Sequence, residues 1–171
     1  DGSGNGSDGI PLPFGLGPHS VKSLREIANK VQPDLIFEIG MNMAWSTSLW
    51  LELLPNAKIL TCDISTKQET VEAAKIMTEK YGDRFTYFNR KQGYSYPQDI
   101  KLAFVDGGHL IHDVIDDINL CLALKIPYIA FDDILEDFGQ VQEAIDQFQT
   151  SLELVLVNGN IALYKNLQDA D

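Results

Sequence analysis

Four residues near the middle of the chain have the types and spacing to do chemistry together: Asp106, His109, Asp132 and Asp133. Asp106 follows the apolar run Leu102-Ala103-Phe104-Val105, and Asp132 and Asp133 follow the apolar run from Pro127 to Phe131. If the two runs are neighbouring strands, three carboxylates converge at their ends. Carboxylates that close repel one another, and at least one stays protonated unless a cation is present. A hard divalent ion such as Mg²⁺, held by oxygen ligands, relieves the repulsion. The alternative is that Asp132 and Asp133 only cap the following segment and Asp106 only starts a turn. His109, three residues after Asp106, points toward the same rim, where a histidine can take a proton from a metal-held hydroxyl. Taken alone, it reads equally as a turn histidine facing solvent.

A second group surrounds Gly40, in the turn Glu38-Ile39-Gly40-Met41-Asn42-Met43-Ala44. Glycine lets backbone approach a ligand closely. A helix opening near Ser46 aims unpaired N–H groups at a carboxylate or phosphate. Asp63, 23 residues after Gly40, is placed to accept hydrogen bonds from ribose hydroxyls. This is an adenosine-binding layout, and a plain tight turn with a helix cap is the alternative. Asp113, Asp116 and Asp117 fall opposite the apolar face of their helix and read as a solvated stripe.

These groups need a frame, and the pattern supplies one. Strands are expected over Leu35–Gly40, Lys58–Ile64, Phe85–Asn89, Leu102–Val105 and Pro127–Phe131. Helices are expected from Ser20 (as cap) to Val31, over Ser46–Leu54 and Lys67–Lys80, from Ile111 to Leu122, and over Gln140–Phe148. Two closing strands, Leu152–Val157 and Ile161–Tyr164, flank the turn Asn158-Gly159-Asn160. Five strand–helix alternations predict an α/β, Rossmann-like, doubly wound sheet of seven strands, mostly parallel, with one antiparallel strand from the C-terminal hairpin. In such a sheet ligands bind beyond the carboxyl ends of the strands, which is where both groups fall.

The 171 residues suit one domain with its own core. Residues 1–9, only Gly, Ser, Asp and Asn, read as a disordered linker or remnant, and 10–171 as a single domain whose first residues, Ile10–Pro18, form an irregular arm. A net charge of −12 argues against nucleic-acid binding and against adhesion to an anionic membrane. Cys62 and Cys121 lie in apolar runs and read as core residues of a reducing, cytoplasmic compartment.

The segments FEIGMNMAWST, LTCDIS, AFVDGGH, IAFDDI and VQEAIDQF with LELVLVNGNIALYK carry a resemblance to the class I S-adenosyl-L-methionine-dependent methyltransferases. Within them, the chain resembles the small-molecule O-methyltransferases that include the catechol and metal-dependent macrolide-sugar enzymes. The resemblance spans about Ser20 to Asn166. It implies that Glu38, Gly40, Met41 and Asn42 line the methionine part of the cofactor, with Ser46 on its carboxylate and Asp63 on its ribose. Lys91 and Gln92 would lie by the adenine. Asp106, Asp132 and Asp133 fall on the divalent-metal ligands and His109 on the general base, with Asp106 also beside the cofactor. The family's turn ends in Gly where this chain has Ala44, and an Ala fits there only with a negative φ. The implied activity is metal-assisted methyl transfer to a hydroxyl of a small molecule such as a sugar or catechol. The rivals are a metal-independent methyltransferase, a different chemistry on the same scaffold, and a non-catalytic interaction module of a larger protein. No insertion is long enough for a full lid, so the acceptor site is expected to be open or completed by another chain.

Overall fold

The computed structural model describes residues 18–135 and 140–168. The linker over 1–9 and the arm over 10–17 lie outside them; Pro18, expected to close the arm, instead opens the first helix. The strands are β1 (Leu35–Ile39), β2 (Lys58–Asp63), β3 (Phe85–Asn89), β4 (Leu102–Val105), β5 (Tyr128–Phe131), β6 (Leu152–Asn158) and β7 (Ile161–Asn166). The helices are α1 (Pro18–Val31), α2 (Trp45–Leu53), α3 (Gln68–Tyr81), α4 (Ile111–Ala123) and α5 (Gln140–Asp146). All were expected within two or three residues at either end. Ser20 does not cap α1; it lies in the first turn, because Pro18 is preorganised to start a helix.

The seven strands make one sheet in the order β3-β2-β1-β4-β5-β7-β6. The first five in that order pair in parallel, and β7 runs antiparallel between β5 and β6. Successive strand residues feed two cores, as a period of two requires. Ile36, Ile59, Leu102 and Phe104 pack with α1, α2 and α3. Phe37, Leu60, Ala103 and Val105 pack with α4 and α5. Strands buried on both faces must be apolar throughout, and β4 and β5 are.

The order in which strands are added reverses between the parallel neighbours β1 and β4. From β1 the chain builds outward to β2 and β3, then returns to lay β4 and β5 on the other side. The loops leaving β1 and β4 therefore diverge, and a crevice opens at their carboxyl ends. Among the described residues, no helix is long and apolar enough to cross a membrane.

Candidate functional site

The crevice is a cleft of about 750 Å³ at the carboxyl ends of the parallel strands. Gly40 and Asn42 line it from the β1 loop, Asp63 and Ile64 from β2, and Lys91 from the turn after β3. Asp106 and His109 line it from the β4 loop, and Asp133 from the β5 loop.

Gly40 is dictated by the backbone beside it. Its φ is 93°, and a Cβ there would lie 2.0 Å from the carbonyl oxygen of Asp106. The β1 and β4 loops thus touch main chain to main chain before they part. The next residues wind tightly: the N–H of Ala44 donates to the carbonyl of Met41 at 2.7 Å. Asn42 and Ala44 both sit in the left-handed region, at φ 46° and 60°. The expectation of a negative φ at Ala44 is therefore wrong. The buried methyl packs in the core beside α2, and the turn accepts a left-handed alanine in glycine's place at a cost of about 1–2 kcal/mol.

Asp63 holds this turn from the neighbouring strand. Its Oδ2 accepts from the N–H groups of Met41 (3.0 Å) and Asn42 (2.8 Å), and its Oδ1 from that of Ser65 (2.6 Å). A carboxylate has about four acceptor positions, so capacity for a ribose hydroxyl remains. Glu38 lies on the α2 face of the sheet, fully buried. It accepts from the hydroxyls of Ser46 (2.7 Å), Thr61 (2.8 Å) and Thr47. Burial pushes its carboxyl up to about 6, against the pull of those three donors. Glu38, Ser46 and the Met41 side chain are thus interior and do not line the cleft, and Gln92 is exposed outside it.

At the other end of the cleft, Asp106, His109 and Asp133 each bring one donor atom into a group within 4.8 Å of one another. His109 Nε2 is 3.2 Å from Asp133 Oδ2. Asp132 is outside the group, yet it is the strongest charged neighbour of Asp106. Burial, then the charges of Asp132, Glu38, Asp133 and Asp63, push the Asp106 carboxyl up to about 8. A proton held that firmly marks the place where a cation would be welcome. Two carboxylates with an imidazole beside them fit a divalent ion held through oxygen, such as Mg²⁺ or Mn²⁺.

The wall opposite corrects the reading of α4. Asp117 is no solvated residue: it is buried and paired with Arg90, from the turn after β3. Burial raises its carboxyl, and Arg90 offsets only part of that. Gly107 and Gly108 leave room for this wall, since a Cβ on Gly108 would meet the Asp113 carboxylate at 2.4 Å. The glycine pair before His109 was the legible sign that the first turns of α4 face the cleft. Cys62, also on the cleft wall, is a buried free thiol pushed up to about 12 by burial.

No family model matches the sequence, and no curated protein sequence matches it. Solved structures do. A methyltransferase of Podospora anserina, PaMTH1, bound to SAH, superposes with a TM-score of 0.64 at 17% identity, covering 88% of this chain and 79% of that one. The O-methyltransferase TomG of Streptomyces achromogenes, in complex with SAM, gives 0.64 at 14%, covering 93% and 83%. The O-methyltransferase of Bacillus cereus, in complex with SAH, gives 0.64 at 16%, covering 91% and 84%. The chain has the fold of these methyltransferases. The likeness covers 88–93% of the chain in these three, in keeping with the wide span of the sequence motifs.

Proposed function

We propose that the chain is an S-adenosyl-L-methionine-dependent O-methyltransferase, assisted by a divalent cation, acting on a hydroxyl of a small molecule. One observation carries the reading: a nucleoside-type turn and an Asp–His–Asp donor group share one cleft at the switch point of a methyltransferase fold. Asp63 and the Gly40–Asn42 backbone would hold the nucleoside. Asp106 and Asp133, with Asp132 beside them, would hold the cation. When bound, the cofactor supplies a methyl group on a sulfonium sulfur, and the cation supplies Lewis acidity to an acceptor oxygen.

The residues of the chain then do three things. An Nε2–H on His109, donated to Asp133 Oδ2, places the lone pair on Nδ1, the nitrogen suited to act as base. That nitrogen would take the proton of an acceptor hydroxyl held in the cleft, leaving its oxygen free to receive the methyl group that the cofactor would supply. Asp133 stabilises the imidazolium so formed. The cleft wall supplies alignment along the carbon–sulfur axis. Exposed Leu110 and Leu135, next to His109 and near Asp133 in the chain, suit the apolar part of an organic acceptor, and chelation by a cation would suit vicinal hydroxyls, as on a sugar or a catechol.

The test is transfer of label from methyl-labelled S-adenosyl-L-methionine to a panel of sugar diols and catechols, with Mg²⁺ or Mn²⁺ and again in EDTA. Cation-dependent labelling of one class supports the reading; no labelling of any acceptor by a protein that binds the cofactor opposes it. The metal-independent alternative draws on the His109–Asp133 contact, in which Asp133 serves only to orient the histidine. Full activity in EDTA would favour it.

A further inference from the structure

The turn between β6 and β7 reads as a plain hairpin connection in sequence. In the structure it lies beside the β5 loop, where the β5–β7 pairing continues past Phe131 and Ala162, and it grips that loop at three points. The Nδ2 of Asn160 donates to Asp133 Oδ1 at 2.7 Å. Its Oδ1 accepts from the N–H of Leu135 at 2.6 Å, and its backbone carbonyl accepts from the N–H of Ile134 at 3.1 Å. Asp133 itself has a φ of 60°, in the left-handed region that aspartate adopts more readily than most non-glycine residues. The other side of the turn is anchored to α1: Ser23 Oγ donates to the Asn158 carbonyl at 2.7 Å, and Asn158 Nδ2 donates to Glu26 Oε2 at 2.7 Å.

We infer that Asn160 is a positioning residue for the cleft, orienting Asp133 through its Oδ1 so that Oδ2 is presented to His109 and to the cation. The inference rests on the proposed cation site. A carboxylate that rotates about its last torsion exchanges its two oxygens, and a fixed donor on one of them removes that freedom. The same amide fixes the backbone on the far side of Asp133, so ligand and loop are held by one side chain. Outer partners of this kind set both the geometry and the affinity of a metal ligand. Both polar atoms of the Asn160 side chain engage the β5 loop, so its effect on the cleft runs through Asp133.

The test compares the wild-type chain, Asn160→Ala and Asn158→Ala by calorimetric titration with Mn²⁺ at fixed pH. Titration with S-adenosylhomocysteine and thermal melting accompany each. Asn158→Ala removes the bond to Glu26 on the same turn, leaves the Ser23 bond to the backbone carbonyl, and does not touch Asp133, and so measures the structural cost of weakening the turn. The expected result is a loss of Mn²⁺ affinity of about tenfold or more in Asn160→Ala. Asn158→Ala should keep wild-type affinity, and both variants should keep S-adenosylhomocysteine affinity. Equal Mn²⁺ affinity in all three overturns the positioning role and leaves the cation site standing. So does an equal loss in both variants. Absence of saturable Mn²⁺ binding in the wild type overturns the cation site and the inference together. If Asn160→Ala does not fold, Asn160→Ser, whose side chain ends one atom short of the amide's two polar atoms, takes its place with the same expected direction.

Discussion

Asp106 concentrates the electrostatics of the cleft in one proton. Its carboxyl is pushed up to about 8 in the folded chain, against an ordinary value of 3.8. Below 3.8 both folded and unfolded chains hold this proton. Between 3.8 and 8 only the folded chain holds it, so folding stability falls as pH rises through that window. Glu38 adds a smaller fall of the same sign between 4.5 and about 6. Above pH 6 Asp106 dominates, at a slope of up to about 1.4 kcal/mol per pH unit. Urea unfolding of the metal-free chain should show higher stability at pH 6.5 than at pH 7.5, and Asp106→Asn should flatten that slope. A divalent ion at pH 7.5 should restore the lost stability, because it binds the folded state in the proton's place. For catalysis, His109→Gln should lower kcat by roughly 10²–10⁴-fold with little change in cofactor affinity. A comparable loss of cofactor affinity would mean that His109 serves binding. Asp106, His109 and Asp133 were legible from sequence because strand ends in this fold class share one rim. Asp117 was not, since its burial depends on Arg90 arriving from a different loop.

At the scale of elements, the β1–α2 connection carries most of the constraint. Gly40 and Gly93 both have positive φ, at 93° and 73°. A Cβ on Gly40 would run into the β4 backbone, while one on Gly93 would meet nothing within 4 Å. Gly40→Ala should therefore cost at least about 3 kcal/mol in urea unfolding and abolish binding in the cleft. Gly93→Ala should cost less, about 1–3 kcal/mol, the backbone penalty of φ 73° and ψ 152° alone, and should leave binding in the cleft intact. Similar losses in the two variants would show that the β1–β4 contact is not what demands glycine. The elements themselves were readable because apolar runs, Pro33, Pro55 and Gly82 punctuate the chain so plainly. The conformation of Ala44 was not, because a left-handed alanine is tolerated only by tertiary support: a buried methyl and the Asp63 carboxylate holding the turn.

For the whole molecule, five strand–helix alternations and a closing hairpin were enough to anticipate a seven-stranded sheet with a single antiparallel strand. The reach of the hairpin turn to Asp133 was beyond sequence reasoning, because it follows from β7 seating between β5 and β6 and bringing Asn160 beside a residue 27 positions earlier. The central claim is that the cleft between the β1 and β4 loops binds an adenosyl cofactor. Calorimetric titration of the chain with S-adenosylhomocysteine tests it most directly, with Asp63→Ala alongside. The account predicts saturable one-to-one binding by the wild type and at least about tenfold weaker binding by Asp63→Ala, which loses the carboxylate that holds the turn and lines the cleft. A well-folded wild-type chain that releases no heat with the nucleoside and shows no shift in melting temperature would contradict it.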